Sequence, residues 1–128
     1  MTYAAGSGSR RPAIARPNCG TFGNEEAALA VVVTRLVETL DPEAIYLFGS
    51  RASGIARPDS DFDLLVVTRT EDGDAAFDYD RVYSPLLGLG VGCDVVPCPK
   101  HEFDAEKERP TSLCYVVHQR GRKLYERR

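Results

Sequence analysis

The chain has 128 residues, enough for one domain with a real core and too few for two. Hydrophobic residues make up 43% and charged residues 27%, with a net charge of −3, the balance of an ordinary globular protein. That balance excludes a globally basic nucleic-acid binder, and no apolar run approaches the ~20 residues of a membrane span.

Charge is unevenly spread. Arg10, Arg11 and Arg16 stand in an N-terminal stretch without acids, while Glu71, Asp72, Asp74, Asp78 and Asp80 crowd together further on; both read as solvated segments. Cys19, Cys93, Cys98 and Cys114 form no Cys-x-x-Cys pair, which reads as reduced thiols in a cytoplasmic protein. The N-terminus lacks the apolar core of a signal peptide. Residues 1–23, rich in Gly, Ser, Pro and Arg without periodicity, are expected to form a flexible basic tail, leaving 24–128 as the folded domain.

Asn24 reads as an N-cap, with Glu25 and Glu26 in the first turn where the helix dipole favours acids. Leu29, Val32, Val33, Leu36, Val37 and Leu40 then recur at helical spacing until Asp41-Pro42, predicting an amphipathic helix of about four turns. Ala44 to Phe48 is a short apolar strand stopped by Gly49, Ser50 to Ile55 a short helix, and Arg57-Pro58-Asp59-Ser60 a turn. Asp61 to Thr68 is a second strand, apolar on both faces beyond its aspartates, and is expected to lie centrally in a sheet covered on one face by helices. Residues 75–89 predict a helix interrupted by Pro85, and Val91 to Val96 a third strand closed by Pro97 and Pro99. Ser112 to Arg120 carries Leu113, Val116 and Val117 at helical spacing with Gly121 at C′, and Arg122 to Glu126 can form a last strand.

The stretch LFGSRASGIARPDSDFDLLVV, residues 47–67, carries the chemistry. Side chains alternate along a strand, so Asp61 and Asp63 point the same way, about 7 Å apart. Two carboxylates on one face repel unless a cation lies between them, and hard oxygen ligands suit Mg²⁺ or Mn²⁺. Gly49-Ser50, where a strand hands over to a helix, lets a phosphate approach backbone N–H groups. Arg51 and Arg57 lie close enough in sequence to neutralise a triphosphate. Asp94 interrupts the third apolar strand and is the candidate third acid for two-metal phosphoryl transfer. Together these suggest a nucleoside triphosphate bound through a divalent ion.

This pattern, Gly-Ser, ten residues, then Asp-x-Asp, resembles the signature of the polymerase-β-type nucleotidyltransferase superfamily. It most resembles the minimal nucleotidyltransferases encoded beside HEPN-domain partners as toxin–antitoxin modules. The likeness covers about residues 25–127, including GCDVV around Asp94 and the TSLCYVVHQRGRKLYE ending. It implies an α+β fold, a small mixed β-sheet flanked by helices. It also implies that Gly49 and Ser50 contact the triphosphate of ATP, while Asp61, Asp63 and Asp94 bind two Mg²⁺ ions and Asp94 helps deprotonate the acceptor hydroxyl. The reaction implied is attack on the α-phosphate with release of pyrophosphate, leaving AMP or a short adenylate chain on the acceptor. Relatives that modify antibiotics or RNA carry further domains or subunits for the acceptor. For this chain the resemblance therefore favours a hetero-oligomer with an HEPN ribonuclease toxin, silenced by adenylylation of a tyrosine, with no membrane or direct nucleic-acid contact. Two alternatives stand beside it: an antitoxin that neutralises by binding alone, and a homodimeric nucleotidyltransferase acting on a small molecule such as an antibiotic.

Overall fold

The computed structural model describes residues 17–128 and, for 74–77, the backbone alone. Helix α1 spans Glu25–Leu40. The Asn24 carboxamide oxygen accepts the Ala27 N–H at 2.8 Å, and Asp41 ends the helix in a left-handed conformation whose N–H bonds to the Val37 carbonyl. Strand β1 (Ala44–Phe48) follows, then the single turn α2 (Ser50–Ser53) and strand β2 (Phe62–Thr68). Two 3₁₀ segments, 70–77 and 84–86, flank helix α3 (Tyr79–Tyr83). Strand β3 (Cys93–Pro99) runs into helix α4 (Lys100–Glu106), and α5 (Leu113–Arg120) leads to strand β4 (Arg122–Glu126).

The sheet order is β3-β2-β1-β4, with β2 parallel to β3 and the other pairs antiparallel. The apolar β2 is central, as its sequence demands, but helices cover both of its faces rather than one. Leu64 and Val66 pack with Leu29, Val32 and Leu36 of α1 and Val82 of α3. Leu65 and Val67 turn the other way, onto Phe103 of α4 and Cys114 and Val117 of α5. Of this second layer the sequence shows α5 but not α4, which carries no apolar stripe and is fastened by one buried residue, Phe103, stacked on Tyr46 at 5.5 Å.

Four other expectations are corrected. Strand β3 does not close at Pro97: it continues to Pro99, because an edge strand can turn a proline's missing N–H away from its single neighbour. The helix expected over 75–89 is broken into 3₁₀ and α pieces, with Pro85 inside the second 3₁₀ turn. Gly121 is not left-handed; its φ is −75°, and it is glycine for closeness, since a Cβ there would crowd the carbonyls of Val117 and Leu47. Residues 17–23, assigned to the tail on composition, lie against the domain. Phe22 packs on the α1 core, and Asn18 bonds to residues 58, 60 and 92. Composition weighs apolar burial and misses an anchor made of hydrogen bonds. Residues 1–16 lie outside the described part.

Leu64 is fully buried at the centre of the sheet, whereas Leu87 is 75% exposed. Leu64→Ala is expected to cost about 3 kcal/mol in denaturant unfolding and Leu87→Ala about zero.

Candidate active site

The parallel register sets Asp63 of β2 directly beside Asp94 of β3, and the antiparallel register sets Phe48, the last residue of β1, on its other side. Asp61 precedes the ladder by one residue. Continuing the alternation, it stands opposite Gly92 on the same face as Asp63 and Asp94. That face is the one α4 and α5 cover, but their cover begins at Leu65 and Val96, one step further along the strands. Asp63 is consequently half-buried, and Asp61 and Asp94 are exposed.

Two glycines make room for these acids. Gly49 has φ +76°, and a Cβ built on it would collide with the Asp63 carboxylate. Gly92 is close-packed in the same sense: a Cβ there would collide with the carboxylate of Asp61. Each carboxylate thus lies against bare backbone. Ser50 opens α2, whose Ala52 and Ser53 N–H groups turn back to the Gly49 carbonyl.

The electrostatics follow from the packing. Burial, then the charge of Asp94, then that of Asp61, hold the Asp63 carboxyl above its ordinary value of 3.8. Asp63 thus feels the charge of both other acids. Among the described residues no three acidic, histidine or cysteine side chains stand close enough together to hold a metal ion as they are. The donor set nevertheless fits a hard divalent cation: oxygen ligands only, two on adjacent strands and the third one residue before them, with a repulsion at Asp63 that a cation relieves. Burial and then the charge of Asp61 push the neighbouring Cys93 thiol up to about 12, so it keeps its proton and is no nucleophile.

The two arginines expected at the triphosphate are not gathered with the acids. Arg51 lies 4.3 Å over the ring of Phe62, which faces α1, the side of the sheet opposite Asp63. Its guanidinium donates to the carbonyls of Ser60 and Pro58 and pairs with Glu25 at 2.9 Å, leaving its side chain 7% exposed. It fastens the 57–60 turn to α1. Arg57 is exposed and turned towards Asp59, 3.5 Å away. A cleft of about 370 Å³ lined by Arg51, Phe62, Leu47 and Arg122 belongs to that same α1 side and is separate from the acids. Two residues went unnoticed in the sequence: Gly92, whose place at a strand start hints at a close approach, and Asn18, whose partners lie 42 and 74 residues away.

The chain belongs to the nucleotidyltransferase domain family, whose model matches residues 30–123. Among solved structures it is similar to a candidate nucleotidyltransferase from Sulfolobus solfataricus, with 24% identity, 75% of each chain covered and a TM-score of 0.51. No curated protein matches the chain. The fold is that of the polymerase-β-type nucleotidyltransferases, and the activity of the family is nucleotidyl transfer. Among the described residues no helix is long and apolar enough to cross a membrane.

Because the pKa of Asp63 is raised on folding, its ionisation destabilises the metal-free protein: stability is greatest below the ordinary carboxylate range and declines as pH rises through the raised value. Asp63→Asn escapes that loss. In metal-free buffer the variant is expected to melt above the wild type at pH 7, with the difference closing towards pH 4, the ordinary carboxylate range. A melting point equal to or below that of the wild type at pH 7 would contradict the repulsion.

Proposed function

We propose that the protein transfers AMP from ATP to a hydroxyl, with Asp61, Asp63 and Asp94 holding two Mg²⁺ ions and Gly49-Ser50 receiving the triphosphate. The observation that carries this reading is the Asp63–Asp94 register, with the Asp63 carboxylate pressed against Gly49. When bound, the ions would neutralise the triphosphate and polarise its α-phosphate. The chain's own groups do the rest. Gly49 exposes backbone to the phosphates, and the Ser50 hydroxyl can donate to them. Asp94, exposed beside Asp63, accepts the proton of the incoming hydroxyl. A bond then forms between acceptor oxygen and α-phosphorus as the bond to the leaving pyrophosphate breaks.

The acceptor in this proposal is a tyrosine of an HEPN ribonuclease, which makes the protein its antitoxin. Two things support it: the sequence resemblance to minimal nucleotidyltransferases, and the exposure of Asp61 and Asp94, which leaves a side chain on a separate protein free to approach. The test is incubation with α-labelled ATP, Mg²⁺ and an HEPN-domain protein encoded beside this chain. Label is expected on a tyrosine of the partner and to fall roughly a thousandfold in rate with Asp63→Asn or Asp94→Asn. Label on a small molecule instead would overturn the acceptor and leave the transfer standing. Equal labelling by the Asp63 variant would overturn the site.

A further inference from the structure

Asp61 lies just beyond the end of the β2–β3 ladder, where no strand pairing holds it. The last backbone rung there is the Phe62 N–H to the Gly92 carbonyl at 3.0 Å. A residue from the N-terminal segment takes the place of the next rung. The Asn18 carboxamide nitrogen donates to the Ser60 carbonyl at 3.0 Å and to the Gly92 carbonyl at 2.8 Å, and its oxygen accepts the Gly92 N–H at 2.6 Å. The Asn18 backbone N–H is itself held by the Pro58 carbonyl at 2.8 Å.

One side chain therefore ties the peptide immediately before Asp61 to the residue directly across from it, the glycine against which the Asp61 carboxylate rests. The Ser60 carbonyl also accepts from Nε and Nη2 of Arg51, at 3.0 and 2.6 Å. An asparagine suits this task as few residues do, because a single planar amide satisfies a donor and two acceptors at once. Its own part in the apolar packing is nil: the core closes at Phe62, and Asn18 contributes no apolar surface to it.

We infer that Asn18 is a positioning residue: by splicing Ser60 to Gly92 it fixes the distance of Asp61 from Asp63 and Asp94, and so sets the affinity of the acid cluster for its divalent ion. The inference rests on the reading that these acids bind a metal. Groups that orient metal ligands from behind are commonly worth 10–100-fold in affinity. Asp63 and Asp94 are held by the ladder itself. The effect of Asn18 should accordingly fall on metal binding and turnover more than on stability.

The test uses the full chain, wild type and Asn18→Ala, without ATP. Mn²⁺ binding is followed by electron paramagnetic resonance, amide exchange of Gly92 by NMR, and melting by calorimetry. Asn18→Ala is expected to weaken Mn²⁺ binding by about tenfold and to speed Gly92 exchange by at least about tenfold, with melting lowered by only a few degrees. Asn18→Gln, whose amide is kept but displaced by a methylene, decides the matter if the alanine variant fails to fold, and is expected to show the same two losses. Unchanged Mn²⁺ affinity in the folded variant, or a Gly92 amide exchanging as in the wild type, would overturn the role of Asn18. A wild type that binds no Mn²⁺ would overturn the metal reading itself, and this inference with it.

Discussion

Two carboxylates held side by side in a partly buried parallel ladder are the constraint around which this molecule is arranged. The pairing of Asp63 with Asp94 cannot be relaxed by sliding a strand. A one-residue slip would drive Leu64, Val66 and Val95 out of the α1 core and the aspartates into it. The hydrophobic pattern of β2 and β3 thus enforces an electrostatic conflict. Such a conflict persists in a stable fold only where the surroundings over-determine it, and it marks the place where a cation does the most good.

The remainder of the domain acts on that pair. The helices α4 and α5 cover the same face but leave off one residue short of the acids, so Asp63 is half-buried while Asp94 meets solvent. The left-handed Gly49 brings bare backbone against one carboxylate, and Gly92 does the same for Asp61. Behind them, Arg51 fastens the turn that delivers Asp61 to the N-terminal end of α1, spending its charge on Glu25 and on carbonyls. Both faces of the sheet carry apolar core, the larger on the α1 side, and only the α4–α5 face ends in charge.

Much of this was legible in the residues. Period-3.6 spacing located α1, and apolar runs located β1, β2 and β3. The spacing of Gly49-Ser50 and Asp61-x-Asp63 singled out residues that the fold does bring together, because those signals are local and each residue's neighbours in sequence are its neighbours in space. What escaped was set by distant partners. Arg51 looked like a phosphate ligand because it follows Ser50, yet its side chain crosses to the opposite face, where Glu25 and the ring of Phe62 receive it. Residues 17–23 looked like a tail because composition registers apolar content and is blind to one asparagine with well-placed partners. Helix α4, short and polar, had no periodicity to read.

The most direct test of the acid cluster is a crystal structure of the full chain with a non-hydrolysable ATP analogue and Mn²⁺, the metal located by anomalous scattering. Anomalous peaks among the carboxylates of Asp61, Asp63 and Asp94, with the β- and γ-phosphates against Gly49 and Ser50, are the result expected. Manganese held by the nucleotide alone, or at any site apart from those three carboxylates, would contradict the assignment.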